Sequence, residues 1–227
     1  MLKGNKSVRF ASLLCLTVLP GLLLASEEGG RKDPDEVWKD LMAGNRRYTS
    51  AKVIRPHQAA PRRVELAKGQ KPPTIVLSCS DSRVPPEIVF DQGLGDIFVV
   101  RVAGHVVDDD VLGSIEYAVE HLGSSLIVVM GHQSCGAVKA VVDNAAADGH
   151  IVPLVKHIAP VVAEMKKKLD GCADPKSLLD ASISANVLQS VKLLKEDETL
   201  SKFLAQHKIK IMGARYQLDS GKVMIVE

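Results

Sequence analysis

Two spacings of apolar residues divide this chain. The short runs Thr74-Ile75-Val76-Leu77-Ser78 and Leu126-Ile127-Val128-Val129-Met130 are rich in β-branched residues, show no polar alternation and are flanked by turn residues. That pattern predicts parallel strands buried on both faces. Asp96 to Val102 predicts a third strand and Ile209 to Ala214 a fourth, while Lys222 to Val226, after the turn Asp219-Ser220-Gly221, predicts a short edge strand. Between the runs the period lengthens to that of a helix, at Val111 to Leu122, Ala137 to Asp148, Val152 to Leu169, Lys176 to Leu194 and Thr199 to His207. Strands alternating with helices define an α/β sheet. Ahead of the sheet, Pro34 to Tyr48 places Val37, Trp38, Leu41 and Met42 on one side of a helix, and Pro61 to Lys68 predicts a second, so the sheet is expected to carry a helical arm at its amino-terminal side.

A chain of 227 residues that is 46% apolar can bury one substantial core. It has no low-complexity tract, internal repeat or interdomain linker. Its formal charge of +2 suggests no nucleic-acid partner. The first stretch stands apart. Lys3, Lys6 and Arg9 precede the apolar run Phe10 to Ala25, and an acidic, glycine-containing segment follows from Glu27 to Gly30. This layout predicts a signal peptide over residues 1–26, cleaved near Ala25 or Ser26, and a single mature domain over residues 27–227 that is periplasmic or secreted. The run is shorter than the ~20 apolar residues of a spanning helix and is broken by Pro20-Gly21, so no stable membrane span is expected after cleavage. Cleavage removes three basic residues and no acidic one, which leaves the mature chain near −1.

Four cysteines then need an account. Cys15 leaves with the signal peptide and Cys172 lies in a loop-like segment, whereas Cys79 and Cys135 sit among polar neighbours at predicted strand ends. Export would allow disulfides. A metal explains Cys79 and Cys135 better, because the strings Cys79-Ser80-Asp81-Ser82-Arg83 and His132-Gln133-Ser134-Cys135 each follow a predicted strand. Ligands of α/β sheets bind just beyond the carboxyl ends of the strands. Two thiolates and one imidazole form a catalytic zinc set, since three protein donors leave a fourth tetrahedral position open. Soft donors favour zinc over magnesium or calcium. Asp81 is close enough to Cys79 to fill the fourth position as a ligand in a closed state, or to accept a hydrogen bond from a zinc-bound hydroxide. Arg83 can hold that carboxylate by charge-assisted hydrogen bonds.

At these residues the chain resembles the β-class carbonic anhydrases, whose Cys-x-Asp-x-Arg and His-x-x-Cys strings are both present. The resemblance extends over Leu41 to Tyr48, Ser78 to Pro85, Gly95 to Arg101, Gly113 to Leu122 and Gly213 to Tyr216. It implies a doubly wound, mostly parallel sheet of about four parallel strands plus an edge strand. It also implies one Zn2+ per subunit held by Cys79, His132 and Cys135, with Asp81 and Arg83 as the catalytic dyad. The implied reaction is the reversible hydration of carbon dioxide to bicarbonate and a proton by zinc-bound hydroxide; zinc brings a bound water to a pKa of about 7 in carbonic anhydrases, a magnitude that belongs to the family and is not read from this sequence. The implied assembly is a homodimer or a dimer of dimers. In plant-like members a glutamine upstream of the first ligand strand and two aromatics from the partner subunit shape the substrate pocket, and Gln70, Phe98 and Tyr117 match those places. One departure is local: Val102 and His105 stand where asparagine is common in the family.

Other readings predict different features. A hydrolase of the same fold acting on carbonyl sulfide or carbon disulfide would share the zinc site. A non-catalytic zinc protein would need neither Asp81 nor Arg83. Nucleotide binding is disfavoured, because Gly93-Leu94-Gly95 lacks a third glycine at the required spacing and precedes a strand rather than opening a helix.

Overall fold

The computed structural model describes Met1 and residues 30–169 and 174–227. The rest of the expected signal peptide, with Cys15, and the loop cysteine Cys172 lie outside the described residues. In chain order the elements are α1 (Pro34–Thr49), α2 (Ala60–Leu66), β1 (Thr74–Ser78), α3 (Pro86–Val89), β2 (Ile97–Arg101), a 3-10 turn (Ala103–His105), α4 (Asp109–Glu120), β3 (Leu126–His132), α5 (Gly136–Val142), α6 (Ile151–Lys168), α7 (Pro175–Glu196), α8 (Glu198–Ala205), β4 (Lys210–Tyr216) and β5 (Val223–Val226). Aspartates at positions 33, 108, 174 and 197 cap the amino ends of α1, α4, α7 and α8, each accepting from a backbone N–H of the first turn. None of the described helices is long and apolar enough to cross a membrane.

The strands form one sheet in the order β2, β1, β3, β4, β5. The first four are parallel, and β5 pairs antiparallel with β4. The continuous apolar runs follow from burial of both faces. Ile75, Leu77, Ile127 and Val129 face a cluster made with Val111, Ile115 and Val119 of α4, Val187 and Val191 of α7 and Leu200 of α8. Val76, Leu126, Val128 and Met130 face a second cluster, made with Val37 and Leu41 of α1, Val89 of α3, Val138 of α5 and Ile158 of α6. Burying a side chain such as Ile115 in full contributes about 1.5–3 kcal/mol. α7 lies especially close to the sheet because Val187 fits over two residues without side chains. A β-carbon added to Gly131 or Gly213 would lie 2.5 or 2.7 Å from a Val187 methyl.

Three boundaries differ from expectation for local reasons. α5 stops at Val142 instead of running to Asp148. Asn144 takes a left-handed conformation (φ 52°), and Ala145 N–H reaches back to the Ala140 carbonyl while Asn144 N–H reaches that of Val141, which closes the helix end. β3 continues two residues further, so that His132 is its last residue and pairs with Tyr216. A short helix, α3, begins at Pro86, where the fixed φ of proline suits a first turn. α1 of the helical arm docks on its own sheet. Asn45 donates to the carbonyls of Val89 (3.0 Å) and Gly221 (2.9 Å) and accepts from Val223 N–H (3.1 Å), so its buried amide is satisfied. α2 contributes no buried residue.

The order of the sheet places a reversal beside its centre. From β1 the chain moves outward to β2, then returns past β1 to β3. The topological switch point therefore lies between the carboxyl ends of β1 and β3, where doubly wound sheets bind their ligands.

Candidate active site

Cys79 follows β1, His132 ends β3, and the two flank the switch point. Cys135 is brought back to them by a tight turn in which Ser134 adopts φ 54°, and it stands immediately before α5. The two Sγ atoms and a ring nitrogen of His132 lie within 4.8 Å of one another, and all three residues are buried. His132 Nδ1 pairs with the Gln133 carbonyl at 2.9 Å, as an N–H donor. That contact leaves the Nε2 lone pair free, and Nε2 is buried with no hydrogen-bond partner. An unpaired buried nitrogen is expensive unless something else occupies its direction. Of all groups of three or more potential donors among the described residues, this is the one that converges closely enough to hold a metal.

The sulfurs carry the electrostatic signature of the same site. Cys135 beside it and the Gly104 N–H, which donates to Cys79 Sγ at 3.3 Å, draw the Cys79 thiol down despite burial. Cys135 moves the other way, held protonated by the neighbouring thiolate and by burial. Two buried sulfurs this close share a single proton unless a cation lies between them.

Asp81 stands beside this group. Its carboxylate accepts from Arg83 Nε (2.8 Å), Arg83 Nη2 (2.7 Å) and the Arg83 backbone N–H (3.0 Å). The Arg83 side chain holds the Asp81 carboxyl well below the usual carboxylate range. Asp81 Oδ2 is 3.9 Å from His132 Nε2. Of the two positions expected for Asp81, the carboxylate occupies the one on Arg83.

The sequence reading passed over two contributors to this edge. Arg101 donates from Nε to the Cys79 carbonyl (3.0 Å) and from Nη2 to the Asp81 carbonyl (2.5 Å), so it fixes the backbone that carries both residues. Its signal was a cation ending an apolar strand. Gly104 N–H donates to Cys79 Sγ at 3.3 Å. The unusual His105 follows it, fully buried and in the left-handed region (φ 44°), which asparagine and histidine tolerate better than most residues. Burial pushes the His105 imidazole down to about 4. His121, His150 and His157 are exposed.

Gln70, Phe98 and Tyr117 are not gathered into this group within one chain. Phe98 pairs with Ile75, four residues before Cys79, and packs against the cluster on the opposite face from the one that contains Cys79 and Cys135. Tyr117 lies 6.5 Å from Phe98 between ring centroids and is about half exposed (49%). Gln70, in the loop before β1, lines an open cleft with Arg63, Leu66 and Leu94.

Fold and donor set define a class: an α/β protein with a three-donor metal-capable centre at the carboxyl edge of a parallel sheet. Comparison with known proteins then narrows it. The family described as carbonic anhydrase matches residues 74–223. Carbonic anhydrase 2 of Mycobacterium tuberculosis is 42% identical over 198 residues, covering 85% of this chain and 93% of that protein. The carbonic anhydrase of Mycolicibacterium smegmatis is 41% identical over 196 residues, covering 84% and 92%. Among solved structures, a tetrameric β-carbonic anhydrase of Sordaria macrospora superposes with a TM-score of 0.69 at 25% identity, over 84% of this chain and 97% of that one. The Coccomyxa β-carbonic anhydrase in complex with acetazolamide gives 0.66 at 25% identity, over 85% and 82%. The chain belongs to the carbonic anhydrase family, in its β class, and is an enzyme of that family.

Proposed function

We propose that the chain catalyses the reversible hydration of carbon dioxide to bicarbonate and a proton, with one zinc ion per subunit held by Cys79, His132 and Cys135. The observation that carries this reading is the convergence of a buried, unpartnered imidazole nitrogen with two sulfurs. The donor set fits zinc, since thiolate and imidazole are soft or intermediate ligands and both cysteines can ionise beside a dication. When bound, zinc supplies the Lewis acidity that ionises a water near neutral pH.

The chain's own residues supply orientation. Asp81 is the acceptor for the O–H of the attacking water, and because Arg83 keeps its carboxyl ionised, Asp81 accepts that bond and does not donate one. The two-point grip of Arg83 also holds Asp81 away from the fourth ligand position, so a closed state requires both charge-assisted bonds to be given up. The His132 contact with the Gln133 carbonyl keeps the ring tautomer whose Nε2 lone pair faces the sulfurs.

The carbon dioxide pocket is completed by a second copy of the chain. By the resemblance, Phe98 and Tyr117 serve the site of the partner subunit and Gln70 lies upstream of the first ligand strand; the packing of Phe98 on the face opposite Cys79 supports that reading. The tetrameric Sordaria macrospora enzyme supports such an assembly, and we assign a homodimer or a dimer of dimers. Export to the periplasm or the exterior, after loss of residues 1–26, rests on the basic and apolar pattern of the amino terminus.

The test is metal removal. The purified mature chain should contain one zinc per subunit, lose stopped-flow carbon dioxide hydration on chelation, and regain it with zinc but not with magnesium. Hydration that survives complete metal removal would overturn the reading.

A further inference from the structure

α7 carries a polar stripe where a core helix would be expected to be apolar. Ser182, Asn186 and Ser190 recur at four-residue spacing and are all buried, beside the buried apolar residues Ile183, Val187, Val191 and Leu194. A buried amide destabilises a helix packed on a sheet unless it is fully used. Asn186 is used on one turn. Its Nδ2 donates to the Gly104 carbonyl at 2.9 Å and lies 3.5 Å from His105 Nε2. Ser190 Oγ donates to the His105 carbonyl at 3.2 Å and pairs with His105 Nδ1 at 3.2 Å.

The turn held in this way is strained. Gly104 (φ 66°, ψ 14°) and His105 (φ 44°) are left-handed in succession. A β-carbon on Gly104 would lie 2.7 Å from Ile158 Cδ1, so the site is crowded as well. Such backbone persists only where its surroundings over-determine it, and it gathers at functional sites. What this turn presents is the Gly104 N–H, aimed at Cys79 Sγ at 3.3 Å. A hydrogen bond to a metal-ligating sulfur draws charge from it and sets its strength as a donor.

We propose that Asn186 is a positioning residue for the metal centre: by holding the Gly104–His105 turn from α7, it aims the Gly104 N–H at the Cys79 sulfur and tunes that ligand. The inference rests on the reading of Cys79, His132 and Cys135 as a metal centre. Asn186 touches neither the donor atoms nor the substrate; its effect passes through the turn. Ser190 steadies the same turn from the His105 side. Val191, on the same helix, packs into the apolar cluster and makes none of these contacts.

The experiment compares cobalt(II)-substituted wild-type protein with Asn186→Leu and Val191→Ala. The readouts are the sulfur-to-cobalt charge-transfer band and zinc affinity by competition with a chromophoric chelator. Asn186→Leu should shift the band and weaken zinc binding by about 10-fold or more. Val191→Ala should lower the melting temperature yet leave both readouts in place. Should Asn186→Leu fail to fold, Asn186→Asp removes the same donor at nearly constant volume and carries the same expectation. An unmoved band and affinity in a folded Asn186 variant, or an equal change in Val191→Ala, would overturn the inference while leaving the metal centre standing. Wild-type protein that takes up neither cobalt nor zinc would overturn both.

Discussion

The two ends of the parallel sheet are built from opposite materials. At the carboxyl end lie two cysteines, an imidazole with an unpaired nitrogen, a carboxylate gripped by arginine and a strained turn aimed at a sulfur. Toward the amino end lie Phe98, the half-exposed Tyr117 and the loop residue Gln70, none of them within the donor group. One chain therefore gathers its donor set but not these three residues, which the proposed assembly would bring to the site of another copy. Chemistry that depends on ångström-scale placement is held by elements of a single core, whereas apolar walls that only exclude water can come from another copy.

The largest effect should come from breaking the carboxyl end. Cys135→Ala removes one of three donors and leaves Cys79 and His132 facing a gap, so zinc content and carbon dioxide hydration should both fall below detection. Metal analysis on the purified variant checks this directly, and full zinc with normal turnover would erase the distinction between the two ends. A change at the amino end should be milder. Tyr117→Ala keeps all donors and should retain stoichiometric zinc while lowering hydration by roughly 10-fold, the scale of a reshaped apolar pocket. Hydration and zinc content measured beside the mass in solution separate loss of pocket shape from loss of assembly; unchanged activity in a monomeric variant would remove the second copy from the account.

A smaller effect concerns pH and belongs to the carboxyl end alone. Burial pushes the His105 imidazole down to about 4 in the folded chain, against about 6.5 for an ordinary histidine. The unfolded chain thus binds this proton first, so the contribution of His105 is complete above about pH 6.5 and is lost as pH falls toward 4. The loss is on the order of 3 kcal/mol over that window. Melting temperature followed from pH 7 to pH 4 should fall more steeply for wild-type protein than for His105→Asn, which keeps a residue suited to the left-handed turn. Parallel curves would contradict the assignment.

Much of this was legible in the residues themselves. β1 and β3 could be read because strands covered on both faces show unbroken apolar runs, and the donor set could be read because Cys79, His132 and Cys135 cluster at the ends of those runs. Four features were not legible, each because it depends on tertiary contacts. α5 ends early through the left-handed Asn144, a residue that helical periodicity alone passes over. The pattern of α1 predicts a helical arm without saying what it packs on, and the amide of Asn45 ties it to α3 and to the turn before β5. Asn186 is one polar residue in a long helix until the turn it supports is seen beneath it. The face on which Phe98 packs, opposite the one that holds Cys79, appears only when the two core clusters are assigned.

The claim at the centre is that Asp81, held ionised by Arg83, orients the attacking water beside a donor set that binds metal without its help. Stopped-flow carbon dioxide hydration of Asp81→Asn, with zinc measured on the same sample, tests it most directly. The account predicts full zinc occupancy and hydration reduced by about 100-fold or more. Near-normal hydration by the zinc-loaded variant would contradict it.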